Sequence, residues 1–257
     1  MITGSIQAEA AGQMLDAAHQ AGAKALLSLD GGPSALDANI QETAKMLAQT
    51  VKESGYDGLF LDIPQLKGEK KRDMTQLTKA LAAELGELSL YLVAEAPTWA
   101  GKAYDGYDYE ELARAADHLV LRVGSYESHD DGFSTAPVSP LEEVYYALAL
   151  LQDGIDTSKL TLRLDTAPSV WDSSGRQRTL SAEELGELMA SGEQHYSTRY
   201  ACAYLTGSGQ DGSELVAWYL DQEAIQTRKN LAQAFDVGQL CLTDWNAVVK
   251  ELFADSE

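Results

Sequence analysis

The chain has 257 residues, 45% of them hydrophobic and 23% charged, with a formal net charge of -21. That apolar content excludes a disordered polypeptide, and the length allows a sizeable core. The charge argues against nucleic acid or an anionic lipid surface as a partner; it suits neutral or cationic ligands, or solubility alone. No apolar run reaches the roughly 18 residues of a membrane span. The opening stretch MITGSIQAEAAGQM lacks both the basic and the apolar part of a secretory signal. A cytoplasmic chain, or a segment of a longer exported one, is therefore expected. Cys202 and Cys241 have no metal-binding spacing and leave a disulfide open.

Short β-prone runs alternate with amphipathic helices, the signature of parallel βαβ units. The pattern predicts a first helix over Ala8–Ala21, stopped by Gly22, and a strand over Lys24–Leu29. In the next helix Ile40, Ala44, Leu47 and Val51 share one face, and Gly55 ends it. A strand over Gly58–Ile63 follows. A basic turn then leads to a helix capped by Asp73, with Met74, Leu77, Leu81 and Leu85 inward. Further strands are predicted at Leu88–Ala94, Leu119–Val123 and Leu160–Leu164. Before the last of these, Ser139 and Glu142 form a capping-box signature, with Pro140 in the first turn and Gly154 past the end. Ser181 and Glu184 open another capped helix, after which His195–Leu220 reads as a hairpin around TGSGQDGS. A helix from Asp221 to Ala234, a strand near Gln239–Leu242 and a helix capped by Asp244 complete the pattern. No proline- or serine-rich linker divides it, so a single domain over residues 1–257 is expected.

In parallel βα barrels the chemistry gathers at the C-terminal ends of the strands. Those ends place Asp30, Asp62, Glu95 and Asp165 at comparable positions on four strands. Carboxylates facing one cavity can divide acid and base roles, because burial and repulsion push their pKa values apart. Each alone also has a structural reading, since Asp is favoured at caps and turns.

YDGLFLDIP resembles the fourth-strand motif D-G-x-D-x-D-x-E of glycoside hydrolase family 18, with Asp57, Gly58 and Asp62 in register. Tyr107–Arg122, Ala136–Trp171 and the stretch ELVAWYLDQEAIQTRKNLAQAF are similar to that family's spore-cortex and peptidoglycan-processing branch. The resemblance runs from about Lys24 onward and rests on order and spacing. It implies an α/β fold of the (β/α)8 or TIM-barrel type. The barrel is incomplete, its first two strands absent, with a small inserted α+β hairpin element at about residues 172–220. It also implies chitin- or peptidoglycan-like N-acetylated glycans as ligands, and a cell-envelope, spore or extracellular setting. No cofactor or metal is called for. Trp99, Tyr104, Tyr107 and Tyr109 stack on sugar rings or pack a loop; Trp218 is expected to pack the hairpin, and His129 matches a family histidine.

In the family a glutamate protonates the leaving oxygen while the substrate's N-acetyl group attacks the anomeric carbon, and a neighbouring aspartate orients that group. Asp62 matches this aspartate, but Pro64 stands at the glutamate's position and Phe60 at that of another motif acid. Proline has no proton to give, and the adjacent Gln65 is an amide. Arg122–Ser125 replaces the tyrosine-bearing end of the sixth strand, and Leu240–Asp244 lacks the family's floor tryptophan. The resemblance therefore implies a catalytically degenerate domain, leaning away from an enzyme, that binds glycan or serves assembly. The alternatives are an active glycosidase on N-acetylglucosamine-containing glycans, using Glu95 with Asp62 as a relocated pair, and a purely structural domain. The candidate ligand contacts are Asp62, Glu95, Asp30, Asp165, Trp171 and Tyr126. An open barrel edge calls for a protein partner or self-association to cover it.

Overall fold

The structure is a computed structural model and describes residues 8–98, 104–124, 135–209 and 212–243. Trp99, Tyr126, His129 and the helix expected after Asp244 lie outside the described residues. The first half of the chain forms α1 (Ala8–Gln20), β1 (Leu26–Asp30), α2 (Ile40–Ser54), β2 (Gly58–Asp62), α3 (Lys71–Leu85), β3 (Ser89–Glu95), α4 (Tyr109–Ala115) and β4 (His118–Arg122). There follow α5 (Leu141–Leu151), β5 (Leu160–Leu164), β6 (Ser169–Asp172), β7 (Gln177–Thr179), α6 (Ala182–Ser191) and β8 (Glu193–Ser197). The last elements are β9 (Cys202–Ser208), β10 (Glu214–Tyr219), α7 (Gln222–Ala234) and β11 (Gln239–Leu242). This is an α/β fold with an incomplete barrel of six parallel strands in the order β1-β2-β3-β4-β5-β11. A second, five-stranded antiparallel sheet runs β7-β6-β10-β9-β8.

The chain divides into two compact units, one of Met1–Glu95, Lys102–Leu121 and Leu151–Thr161, the other of Ala96–Gly101, Arg122–Leu150 and Leu162–Glu257. In the first unit α2 buries Ala44, Leu47, Ala48 and Val51, as its spacing requires. Its N-terminus is satisfied by Asn39, whose side chain accepts from the Gln41 and Glu42 N–H groups. The helix expected to be capped by Asp73 starts earlier, at Lys71, so Asp73 lies inside its first turn. A carboxylate there still favours the positive end of the helix. The inward face of α3 is the expected one, with Met74, Leu77, Leu81 and Leu85 buried.

The second unit holds the antiparallel sheet. β6 and β7 were not legible as strands, and β8 splits from the predicted hairpin, so that with β9 and β10 the sheet has five strands. The Ser181–Glu184 capping box forms on α6, and Asp221 caps α7 by accepting from the Ala224 N–H. Ser139 of the Ser139–Glu142 signature reaches beyond its own helix. Ser139 has φ 39°, and its hydroxyl accepts from the Asp165 N–H at 3.0 Å. Both cysteines are free thiols, Cys202 buried and Cys241 half-buried. Trp218 is buried against Tyr204 and Tyr200, and its indole N–H donates to the Thr135 hydroxyl.

Arg228 on α7 is fully buried, and its guanidinium meets four backbone carbonyls. They are Ala201 at 2.6 Å, Ser139 at 2.7 Å, Ala224 at 2.9 Å and Tyr200 at 3.2 Å. A buried cation is tolerated only when its donors are used, and this one fastens segments far apart in sequence.

Candidate functional site at the ends of the strands

The motif strand β2 divides into a framework and an end. At its start, the Asp57 carboxylate accepts from the Ala25 N–H at 2.8 Å and lies 2.9 Å from His19 Nε2. Those two bonds, the backbone one first, hold its pKa below the usual aspartate range. Gly58 follows because the Ser89 carbonyl approaches so closely that a Cβ would sit 2.1 Å from it. Asp57 and Gly58, the best-preserved part of the motif, therefore tie β2 to its neighbours.

Beyond them the strand alternates. Leu59, Leu61 and Ile63 are fully buried, whereas Phe60 and Pro64 are half-buried. Period-2 alternation puts Phe60, Asp62 and Pro64 on the opposite face. Asp62 is only 5% exposed. Parallel register pairs Asp30 with Asp62 and Asp62 with Val93. Asp30 and Asp62 are thus level neighbours, Asp30 open to solvent. Glu95, two residues beyond Val93 in β3, falls on the same face as Asp62, about 7 Å further along the strand direction. The structure brings these three carboxylates to one end of one sheet.

A loop clasps this end. The Tyr107 hydroxyl donates to the Ile63 carbonyl at 2.8 Å, and the Tyr109 hydroxyl to the Glu95 carbonyl at 2.9 Å. Gly106 N–H donates to the Leu66 carbonyl at 3.0 Å. A Cβ on Gly106 would lie 2.5 Å from that of Leu66, so the two loops meet backbone to backbone. Burial, and then the Glu95 carboxylate, push both phenols well above their ordinary pKa, so they remain donors. Tyr107 is buried and stacks on Tyr109, while Lys67 lies over the Tyr104 ring at 4.7 Å. Two of these tyrosines pack and brace the loop, a role the sequence left open.

Asp165 in the second unit is differently employed. One carboxylate oxygen accepts from the Thr243 hydroxyl and from the Ala167 N–H, both at 3.2 Å. Thr243 in turn accepts from the Thr166 N–H. Trp171 is 4% exposed on β6, and its indole N–H meets no partner among the described residues. Among the described residues no group of three or more His, Cys, Asp or Glu side chains is arranged to hold a metal ion. No helix there is long and apolar enough to cross a membrane.

A parallel α/β barrel sheet with acids at its strand ends defines the barrel-built class, in which binding and chemistry gather at that end of the sheet. The profile described as Glycosyl hydrolases family 18 matches residues 6–238, and the chain belongs to that family. No curated protein sequence matches it. Its solved structural neighbours include a chitinase from Chromobacterium violaceum ATCC 12472, at 17% identity and TM-score 0.79, covering 98% of this chain and 86% of that one. A family 18 chitinase from Cycas revoluta, in complex with allosamidin, has 15% identity and TM-score 0.77 over 97% of this chain and 84% of that one. The Bacillus megaterium QM B1551 spore cortex-lytic enzyme SleL has 17% identity and TM-score 0.73, covering 91% of this chain and 58% of that one. At these identities the likeness is one of fold.

Proposed function

We propose that this chain is a non-catalytic family 18 domain that binds an N-acetylated glycan, of the chitin or peptidoglycan kind, through the ends of β2 and β3. Pro64 carries the reading: it follows Asp62 on the same face, where the family's motif places a proton-donating glutamate. The residues that survive from the motif support it, since Asp57 and Gly58 serve the fold and Asp62 keeps a side chain able to accept from an acetamide N–H. Chitinase neighbours, one of them in complex with allosamidin, support glycan as the ligand class. On this reading the chain is one barrel domain with an inserted α+β element at about residues 172–220. A protein partner or second copy along an open sheet edge would make it an assembly module.

One observation favours a second reading. Glu95 lies two residues beyond Val93, the register partner of Asp62, so a carboxylate stands on the adjacent strand just past the end of β2. A glycosidase using Glu95 as acid, with Asp62 orienting the acetamide, would fit it.

Titration with chitin oligosaccharides and peptidoglycan fragments tests the proposal. The expected result is measurable binding that weakens about tenfold or more in Asp62→Ala, as loss of a charged hydrogen bond requires. Binding that ignores Asp62→Ala would sink it.

A further inference from the structure

The two sheets guard their edges unequally. The antiparallel sheet ends in β7, three exposed residues that include Arg178, and in β8, which opens on the exposed Glu193 and Gln194. Short or charged edge strands discourage pairing with another chain. β1, at one end of the parallel sheet, is longer and apolar: Leu26, Leu27 and Leu29 are half-buried, Ser28 is exposed, and the single charge, Asp30, closes the strand. β2 beside it has the same length and buries four of its five residues.

The backbone of this edge is open as well. The Ala25 carbonyl accepts from the Asp57 N–H, and the Gly31 N–H donates to the Asp62 carbonyl, both at 2.8 Å. Because these directions alternate along a strand, Leu27 and Leu29 also face β2. Leu26, Ser28 and Asp30 then turn their N–H and C=O groups outward, where no described strand meets them. The helix that leads into β1 is unfinished in the same way. No residue of α1 from Ala11 to Gln20 is fully buried, and Met14 is 66% exposed.

We propose that β1 is a dimerisation edge, pairing antiparallel with β1 of a second copy of this chain about a two-fold axis at Ser28. The strand is complementary to itself there. The outward groups of Ser28 exchange hydrogen bonds with Ser28 of the second copy, and those of Leu26 with Asp30, so all three outward residues are used. Each Asp30 lies opposite a leucine, and no carboxylate faces another directly. Like edges also close after two copies, whereas pairing β1 with β11, the other end of the sheet, would run on head to tail. The inference rests on the assembly role proposed above, for which it names the edge and the partner, and it does not require a glycan.

Sedimentation of the full chain at physiological ionic strength tests it, together with three variants. Wild type should sediment at twice the chain mass. Ser28→Pro removes an N–H that β2 does not use, a place where an edge strand tolerates proline, so it should keep the wild-type circular dichroism and sediment as a monomer. Ser28→Cys sets two Cα atoms about 5.5 Å apart across the axis, within disulfide reach, so mild oxidation should yield a covalent dimer. Leu26→Cys leaves its two copies four strand steps apart, at least about 13 Å, and should cross-link no more than wild type, whose own thiols are Cys202 and Cys241. A monomeric wild type would overturn the proposal, as would oligomers that grow steadily with concentration or equal cross-linking of the two cysteine variants. A folded Ser28→Pro that stays dimeric overturns this edge while leaving an assembly role on another; if that variant fails to fold, the cysteine pair decides. Glycan titration of the same samples reads the binding role separately.

Discussion

The ends of β2 and β5 carry the same sequence signal, an aspartate closing a β-strand, in different surroundings. Asp165 is exposed and occupied, its carboxylate drawing in Thr243 and its own turn. Asp62 is 5% exposed, on a face shared with Asp30 and Glu95, beneath a loop braced by Tyr107 and Tyr109. Burying a carboxylate is costly, and a turn that only needs closing does not require it. A strand-end acid alone is therefore no evidence of a site, whereas a buried one among level carboxylates is a candidate for one.

The largest expected effect lies in the second unit, at Arg228. Arg228→Met removes the donors from four buried carbonyls, and should cost at least about 3 kcal/mol in denaturant unfolding. If stability hardly changed, the second unit would not depend on this fastening. Next comes the direct contrast of the two acids. Asp62→Asn should weaken chitin-oligosaccharide affinity about tenfold, because a charged acceptor is lost. Asp165→Asn should leave affinity unchanged and lower stability by about 1 kcal/mol. Equal effects of both substitutions on binding would erase the distinction drawn between the strand ends.

The smallest effect is one of pH. Burial pushes the Cys202 thiol up from 9.0 to about 12, so the folded chain keeps a proton that the unfolded chain releases. The stabilisation is fully present below about pH 9 and is lost as pH rises towards about 12. Cys202→Ala should flatten part of that alkaline decline in the unfolding midpoint, and leave glycan affinity unchanged.

Much of the barrel sheet was legible, because its strands are short apolar runs separated by helices with one-sided faces, as in α2. Local signals that need no distant partner are borne out too, such as the capping box of Ser181 and Glu184. What Ser139 does beyond its own helix was not visible, because its hydroxyl meets a group far away in sequence, the Asp165 N–H. β7 escaped notice because all three of its residues are exposed, leaving no alternation to detect. At the candidate site the acids were visible but not their burial or their register, which depend on neighbouring strands. The left-handed backbone of Gln65 had no signal at all, since glutamine does not mark such turns.

The central claim is that the end of β2 holds glycan without cutting it. Its most direct test measures reducing ends released from chitin oligosaccharides and peptidoglycan fragments by the wild-type chain under conditions where binding is saturated. The account predicts binding with no release above buffer. Release that disappears in Glu95→Gln would contradict it and make this chain a glycosidase whose acid has moved one strand over.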